Sequence, residues 1–356
     1  MTPRIAIIAD DLTGALDTST PFALHGLRVA APLVVKDIGD ALGANPDVIA
    51  VNTASRALGR EAAASRVREV AERLLGAGRP NVIFKKIDSR LKGNIAAECG
   101  SLAQAFGFRE AVIAPAVPDQ ERFTVGGAIT GRGIETPLAI APFFDGLPFE
   151  VTIRDARSDA DLDGIVTHYA GRWDRILAIG ARGLGGALAR AMGGSAETRT
   201  PQLSNAEATL FAFGSADPIT LAQIEALRGS VDIREAPGGM LPANEALRLP
   251  LVLQITGQRT APADVVAARF AEDVADYIAA LGPANLVMGG GDTTLAILQR
   301  LGVRVLFPVG EAAPGLPAFD IALLNGKPLH CVAKSGGFGP PDVLARLLQR
   351  GRRSTR

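Results

Sequence analysis

Cysteine is almost missing from this chain of 356 residues: Cys99 and Cys331 stand alone and far apart. Two isolated thiols make neither a disulfide framework nor a metal cluster, and both read as buried packing residues. Histidine is as scarce, and His25, His168 and His330 are too dispersed to ligate zinc. Net charge is missing too, since 37 Lys plus Arg balance 37 Asp plus Glu. A nucleic-acid binder shows a basic excess, so nucleic acid is not an expected partner, and any phosphate must be held locally. No apolar stretch can span a bilayer free of charges or turn residues, which argues against a membrane partner. The apolar run Ile5–Ala9 meets two aspartates and is too short for a signal peptide. A soluble cytoplasmic protein is the expectation.

What is plentiful is apolar residue, at 47%, with 40 glycines and 23 prolines spread between apolar runs. This suits two domains of ordinary size with many tight loops. In the first half, short apolar runs each end in a polar cluster. Ile5–Ala9 leads to Asp10 and Asp11, and Val48–Val51 to Asn52–Arg56. Val82–Phe84 leads to Lys85–Arg90, and Val112–Ala114 to Pro115–Asp119. Helical segments lie between, clearest at Arg60–Leu75 and Ile95–Phe106. The fold class is therefore α/β: two domains, each with a mostly parallel sheet flanked by helices. The glycine-rich stretch Gly126–Gly133 reads as a loop. Gly193 to Pro201 has a linker's composition, which sets the expected domains at 1–205 and 206–356. The second half restarts the alternation, with a long helix expected over Pro262–Leu281.

Parallel sheets bind ligands beyond the carboxyl ends of their strands. Asp10, Asp11, Asn52, Arg56, Lys86, Asp88, Ser89 and Asn94 all fall there, so they can converge although distant in sequence. Adjacent carboxylates such as Asp10 and Asp11 suit a general base and its orienting neighbour; an N-cap with a solvated neighbour is the plainer alternative. Arg56 can hold a carboxylate through two parallel hydrogen bonds, or make a surface ion pair. In the second half, Gly289, Gly290, Gly291, Asp292, Thr293 and Thr294 follow a strand and open a helix. Glycines there admit a phosphate to free amides at the positive end of a helix, and Asp292 can hold Mg2+ or cap the helix. Lys334-Ser335-Gly336-Gly337-Phe338-Gly339 adds a second glycine loop with one cation. Neither a Walker A loop nor a dinucleotide G-x-G-x-x-G fingerprint occurs, which disfavours an NAD-dependent dehydrogenase.

In this order the motifs resemble one family. Ala9-Asp10-Asp11-Leu12-Thr13-Gly14-Ala15 is similar to the opening signature of the four-carbon acid sugar kinases, formerly a family of unknown function. Lys85–Asn94 resembles its K-K-x-D-S-T-x-R-G-N segment. Gly290-Gly291-Asp292-Thr293 and Lys334–Gly339 match its C-terminal nucleotide motifs. The resemblance covers nearly the whole chain. It implies an N-terminal acid-sugar domain, a C-terminal ATP domain, and phosphoryl transfer to a terminal hydroxyl of threonate, erythronate or an oxo-tetronate, with ATP and Mg2+ as cofactors. It places Asp10 and Asp11 at the catalytic centre, and Arg56, Lys86, Asp88, Ser89, Arg90 and Asn94 at the sugar. Ser215, Gly290–Thr293, Gly336 and Gly337 fall to ATP. Glu311 stands where the family has a Glu before Pro-Gly. The chain departs from the pattern at Arg90 (usually Thr), Lys92 (Arg) and Gly337 (Asn), and Gly214–Asp217 matches only in part; it is also short for the family.

Three alternatives stay open. Gly-Gly-Asp at a helix start resembles the catalytic loop of ribokinase-type sugar kinases, which would make Asp292 the base. The departures also suit a sensor that binds acid sugar and nucleotide without turnover, or a kinase for a different acid. A homo-oligomer is compatible with each.

Overall fold

The computed structural model describes residues 2–195, 201–242, 248–258 and 261–354. The chain forms two compact units, residues 1–198 and 199–356. The linker-like segment around 196–200 lies outside the described residues.

The first unit runs β1 (Ile5–Ala9), α1 (Leu12–Leu24), β2 (Val29–Pro32), α2 (Ile38–Gly43), β3 (Val48–Asn52), α3 (Arg60–Ala77), β4 (Val82–Lys86), α4 (Ile95–Phe106) and β5 (Glu110–Ala114). It continues with β6 (Arg122–Val125), β7 (Ala128–Gly131), β8 (Leu138–Ala139), β9 (Glu150–Ile153), α5 (Asp159–His168), β10 (Ile176–Gly180) and α6 (Arg182–Met192). Its main strands lie in the order β2-β3-β1-β4-β10-β5-β9, each pair parallel. Every residue of β1, β3, β4 and β10 is buried. Strands of this kind need cover on both faces. Helices α3 and α4 pack as one pair, and α1, α6 and α5 as another layer.

The chain places β2 and β3 on one side of β1 and β4 on the other, so the winding reverses between β1 and β4. That reversal opens a crevice at the carboxyl ends of these two strands. The parallel register aligns those ends, with Ala9 opposite both Asn52 and Lys86, and Gly180 opposite Lys86.

The second unit runs β11 (Thr209–Phe213), α7 (Pro218–Glu225), β12 (Asp232–Pro237), β13 (Leu251–Thr256), α8 (Ala263–Leu281), β14 (Asn285–Gly289), α9 (Gly291–Arg300), β15 (Val305–Leu306), β16 (Pro308–Ala313), β17 (Leu316–Ala322), β18 (Pro328–Lys334) and α10 (Val343–Ser354). Its sheet is ordered β12-β13-β11-β14-β18-β17-β16. The pairs from β12 to β18 are parallel, and β17 and β16 extend the edge antiparallel. The winding reverses between β11 and β14, as it does between β1 and β4. Phe211, Phe213, Val287, Val332, Leu344 and Leu347 centre its core.

One expectation fails. Gly126–Gly133 is not a loop: β6, β7 and β8 form a three-stranded antiparallel sheet. Gly126 and Gly127, at φ 57° and 73°, supply the two left-handed residues that a tight hairpin turn requires.

Candidate functional site

In the first unit, α1 starts where β1 ends, so Asp10 and Asp11 sit at the mouth of the crevice. Asp11 is the N-cap of α1, and its Oδ1 accepts from the Gly14 amide at 2.6 Å. Asp10 is buried rather than solvated. Arg56, arriving from the loop after β3, donates to Asp10 from Nε at 2.8 Å and from Nη2 at 2.9 Å. Its Nη1 meets Asp11 Oδ2 at 2.5 Å, and Nη2 lies 3.8 Å from Asp88. One guanidinium therefore gathers three carboxylates.

The two neighbouring aspartates are driven apart in acidity. Burial works to raise Asp10, but Arg56 overrides it and holds the carboxyl below its ordinary range. Burial also pushes Asp11 up; the Arg56 charge opposes this, and the Asp10 charge adds to it. Lys86 is buried beside them. A Cβ at Gly14 would stand 2.7 Å from Asp11 Oδ1 and 3.1 Å from Lys86 Nζ, so glycine there lets both polar ends approach the helix start.

The Lys85–Asn94 segment divides its labour. Lys85 points into the protein, paired with Glu98 of α4 at 2.7 Å with both side chains 1% exposed, and Glu98 also accepts from Ser55 at 2.5 Å. Asp88 accepts from the backbone amides of Arg90 at 2.9 Å and Lys92 at 3.4 Å, which folds the segment back on itself. Ser89 accepts from Arg122 of β6 at 2.9 Å. Asn94 donates to the carbonyls of Ser55 and Leu58, so its amide fixes the loop that carries Arg56. Asn52 donates to Leu33 and likewise supports the backbone.

Sequence reasoning missed Asp17, Glu98, Arg122 and Arg182. Asp17 is buried in α1, and burial raises its carboxyl to about 6 against the pull of Lys86 and Arg182. Arg182 opens α6, pairing with Asp119 at 2.9 Å and donating to the Asp17 carbonyl at 3.1 Å. Asp17 and Glu98 did leave a trace, as lone acids on otherwise apolar helix faces.

In the second unit, Gly214-Ser215, Gly289–Gly291 and Lys334–Gly337 follow the neighbouring strands β11, β14 and β18. Gly290 is the N-cap of α9 at φ 96°, and no side chain caps this helix. Asp292 lies exposed in the first turn rather than at the cap, and Thr293 is buried beside it. A Cβ at Gly336 would stand 2.8 Å from Ser215 Oγ, so the two loops touch. Lys334 is fully buried: its Nζ donates to Thr220 Oγ1 at 2.9 Å and to the carbonyls of Ser335 and Gly336 at 3.0 Å each. Burial lowers this ammonium to about 7, with Asp217 opposing. Lys334 thus braces the glycine loop from beneath. Glu311 accepts from the Gly315 amide at 3.3 Å within the β16–β17 hairpin. Among the described residues, no group of three or more His, Cys, Asp or Glu could hold a metal, and no helix is long and apolar enough to cross a membrane.

Comparison with known proteins gives two domain matches. A sugar-binding N-terminal domain matches residues 5–144, and a nucleotide-binding C-terminal domain matches residues 242–344. A D-threonate kinase of Bordetella bronchiseptica is 30% identical over 408 residues, covering 99% of each chain. That alignment is longer than this chain, so the relative carries segments that are absent here. A 3-oxo-tetronate kinase of Methylobacterium radiotolerans is 26% identical, covering 98% of this chain and 99% of its own. The solved structure of a Haemophilus influenzae protein, from a domain family of unknown function, shares the fold with a TM-score of 0.63 at 18% identity, over 97% of this chain and 99% of that one. With full-length relatives and both domain models in sequence order, the chain belongs to the four-carbon acid sugar kinase family.

Proposed function

We propose that this chain transfers the terminal phosphoryl group of ATP to a terminal hydroxyl of a small, four-carbon acid sugar such as threonate, erythronate or an oxo-tetronate. The observation that carries this reading is the divergence of Asp10 and Asp11 at the reversal of the first sheet. Adjacent carboxyls whose environments push their acidities apart divide the work of holding charge and moving a proton. Asp10 stays ionised against Arg56 and fixes the pair. Asp11, raised in pKa and oriented by the Gly14 amide on Oδ1 and Arg56 on Oδ2, takes the proton of the attacking hydroxyl.

Residues 206–356 bind the nucleotide in this proposal. The uncapped start of α9 offers amides and a positive dipole to phosphate oxygens. Gly289, Gly290, Gly291 and Thr293 line that approach, with Ser215, Gly336 and Gly337 beside them. Asp292, exposed in the first turn, would hold Mg2+ together with the phosphates. One carboxylate fits an ion that takes most of its ligands from a nucleotide and water. Bound there, Mg2+ would neutralise charge on the transferring group. Residues 1–205 bind the acid sugar, and the protein works in the cytoplasm.

ADP release from ATP and Mg2+, measured against a panel of four-carbon sugar acids, tests the reading. Turnover on one member supports it and names the substrate. Thermal shifts with acid and ATP but no ADP release across the panel would replace it with the sensor reading.

A further inference from the structure

Arg56, the obvious partner for an acid substrate, is already engaged. Asp10 takes two of its donors and Asp11 a third, and Asp88 stands 3.8 Å away. A substrate carboxylate brought to this guanidinium would face three carboxylates of the protein. Like charges at such distances repel strongly where water is scarce. The acid end of the substrate therefore needs a cationic place elsewhere in the first unit.

We propose that Arg122, with Ser89 and Arg90, binds the carboxylate of the acid sugar; this rests on the acid-sugar reading above. Arg122 begins β6, and its side chain is only 2% exposed. Its Nε donates to the Arg132 carbonyl at 3.1 Å, which anchors the fork to the next turn of the small sheet. Its Nη1 donates to Ser89 Oγ at 2.9 Å. A serine hydroxyl that accepts from a guanidinium keeps its own proton to donate to an anion. Arg90 lies near Arg122 beside Gly133: a Cβ at Gly133 would stand 4.0 Å from Arg122 Nη2 and 4.0 Å from Arg90 Cζ. A planar fork with a hydroxyl bonded to it, and a second guanidinium close by, suits a carboxylate. Ser89 adjoins Asp88, whose carboxylate faces Arg56. The chain thus links this anion subsite directly to the carboxylate pair that would handle the hydroxyl. The antiparallel sheet exists, on this view, to deliver Arg122.

The test compares wild type, Arg122→Met and Ser89→Ala in two assays on the full chain. Steady-state turnover is measured with threonate and with threitol, its neutral counterpart. Threonate binding without nucleotide is measured by calorimetry. Arg122→Met should raise the KM for threonate about a hundredfold, leave the KM for ATP unchanged, and abolish the preference for threonate over threitol. Ser89→Ala should move the same quantities about tenfold, and it decides the matter if Arg122→Met fails to fold. A threonate KM and preference unchanged in folded variants would overturn the assignment while leaving the kinase reading intact. If wild type turns over nothing, the kinase reading falls, and binding decides: loss of threonate binding in the variants supports the subsite, and equal or absent binding in wild type and variants overturns it.

Discussion

Arg56 clasps Asp10 through two parallel hydrogen bonds, Nε to Oδ2 at 2.8 Å and Nη2 to Oδ1 at 2.9 Å. A fork-to-fork pair of this kind fixes both partners in direction as well as distance. Its consequence reaches the neighbour: with Asp10 held as an anion, Asp11 retains its proton to higher pH. The arginine assigns unlike roles to two residues that are identical in sequence.

Asp11→Asn tests that assignment cleanly. Asparagine caps helices as well as aspartate does, so the bond from the Gly14 amide and the start of α1 should survive. What disappears is the ability to accept a proton. Turnover should fall about 10³-fold, in the range of general-base losses, with ATP affinity unchanged. Asp292→Asn should instead weaken ATP and Mg2+ binding. If Asp292→Asn suffers the larger loss of turnover at saturating ATP, the base belongs to α9.

Gly290→Ala probes the nucleotide loop. Gly290 sits at φ 96°, and a Cβ there would stand 3.2 Å from the Ser215 amide nitrogen. Alanine in this sparsely populated conformation costs about 1–3 kcal/mol, and it would push apart two loops that must approach each other. ATP affinity should drop at least tenfold, while acid-sugar binding to the first unit stays at the wild-type value. Unchanged ATP affinity by titration would remove the α9 start from the phosphate site.

The sequence declared these sites unevenly. β1, β3, β4 and β10 are legible because each is a run of consecutive buried residues, and the polar residues that follow must lie at the strand ends. Edge strands are harder. β12, Asp232–Pro237, carries Asp232, Arg234 and Glu235, since one side of an edge is wet. The β6–β7 hairpin had its Gly126-Gly127 turn in plain view, but its strands are only four residues long. Arg122 was hidden for another reason: its meaning depends on Ser89, thirty-three residues earlier, and only the fold brings the two together. Lys85 and Lys86 look alike in sequence. Strand alternation sends Lys85 to Glu98 inside the protein and Lys86 to the aspartates.

The Lys85–Glu98 pair gives a stability prediction. Both side chains are 1% exposed and meet at 2.7 Å. Lys85→Met strands a buried carboxylate and should cost about 3–5 kcal/mol in urea unfolding. Adding Glu98→Leu removes the stranded charge, and most of that loss should return. A double variant as unstable as the single one would mean that Ser55, which also bonds Glu98, carries the cost instead.

Asp17 yields a prediction with a definite sign in pH. Burial raises its carboxyl to about 6 in the folded chain, above its ordinary value of 3.8. A raised acid binds its proton more tightly when folded than when unfolded. Its contribution to stability is thus complete below about pH 4 and is lost as pH climbs through 6. Above that, the folded protein carries a buried anion that Lys86, Arg182 and the Thr18 hydroxyl offset only in part. Asp17→Asn removes the charge and keeps an oxygen to accept from Thr18, now 2.8 Å away. The variant should therefore be more stable than wild type at pH 8, by on the order of 2–3 kcal/mol, and the advantage should shrink steadily to nothing near pH 4. Thermal melts across that window decide it. An advantage that stays flat with pH would mean that Asp17 enters the folded state with its ordinary acidity, and that Lys86, Arg182 and Thr18 fully balance its burial.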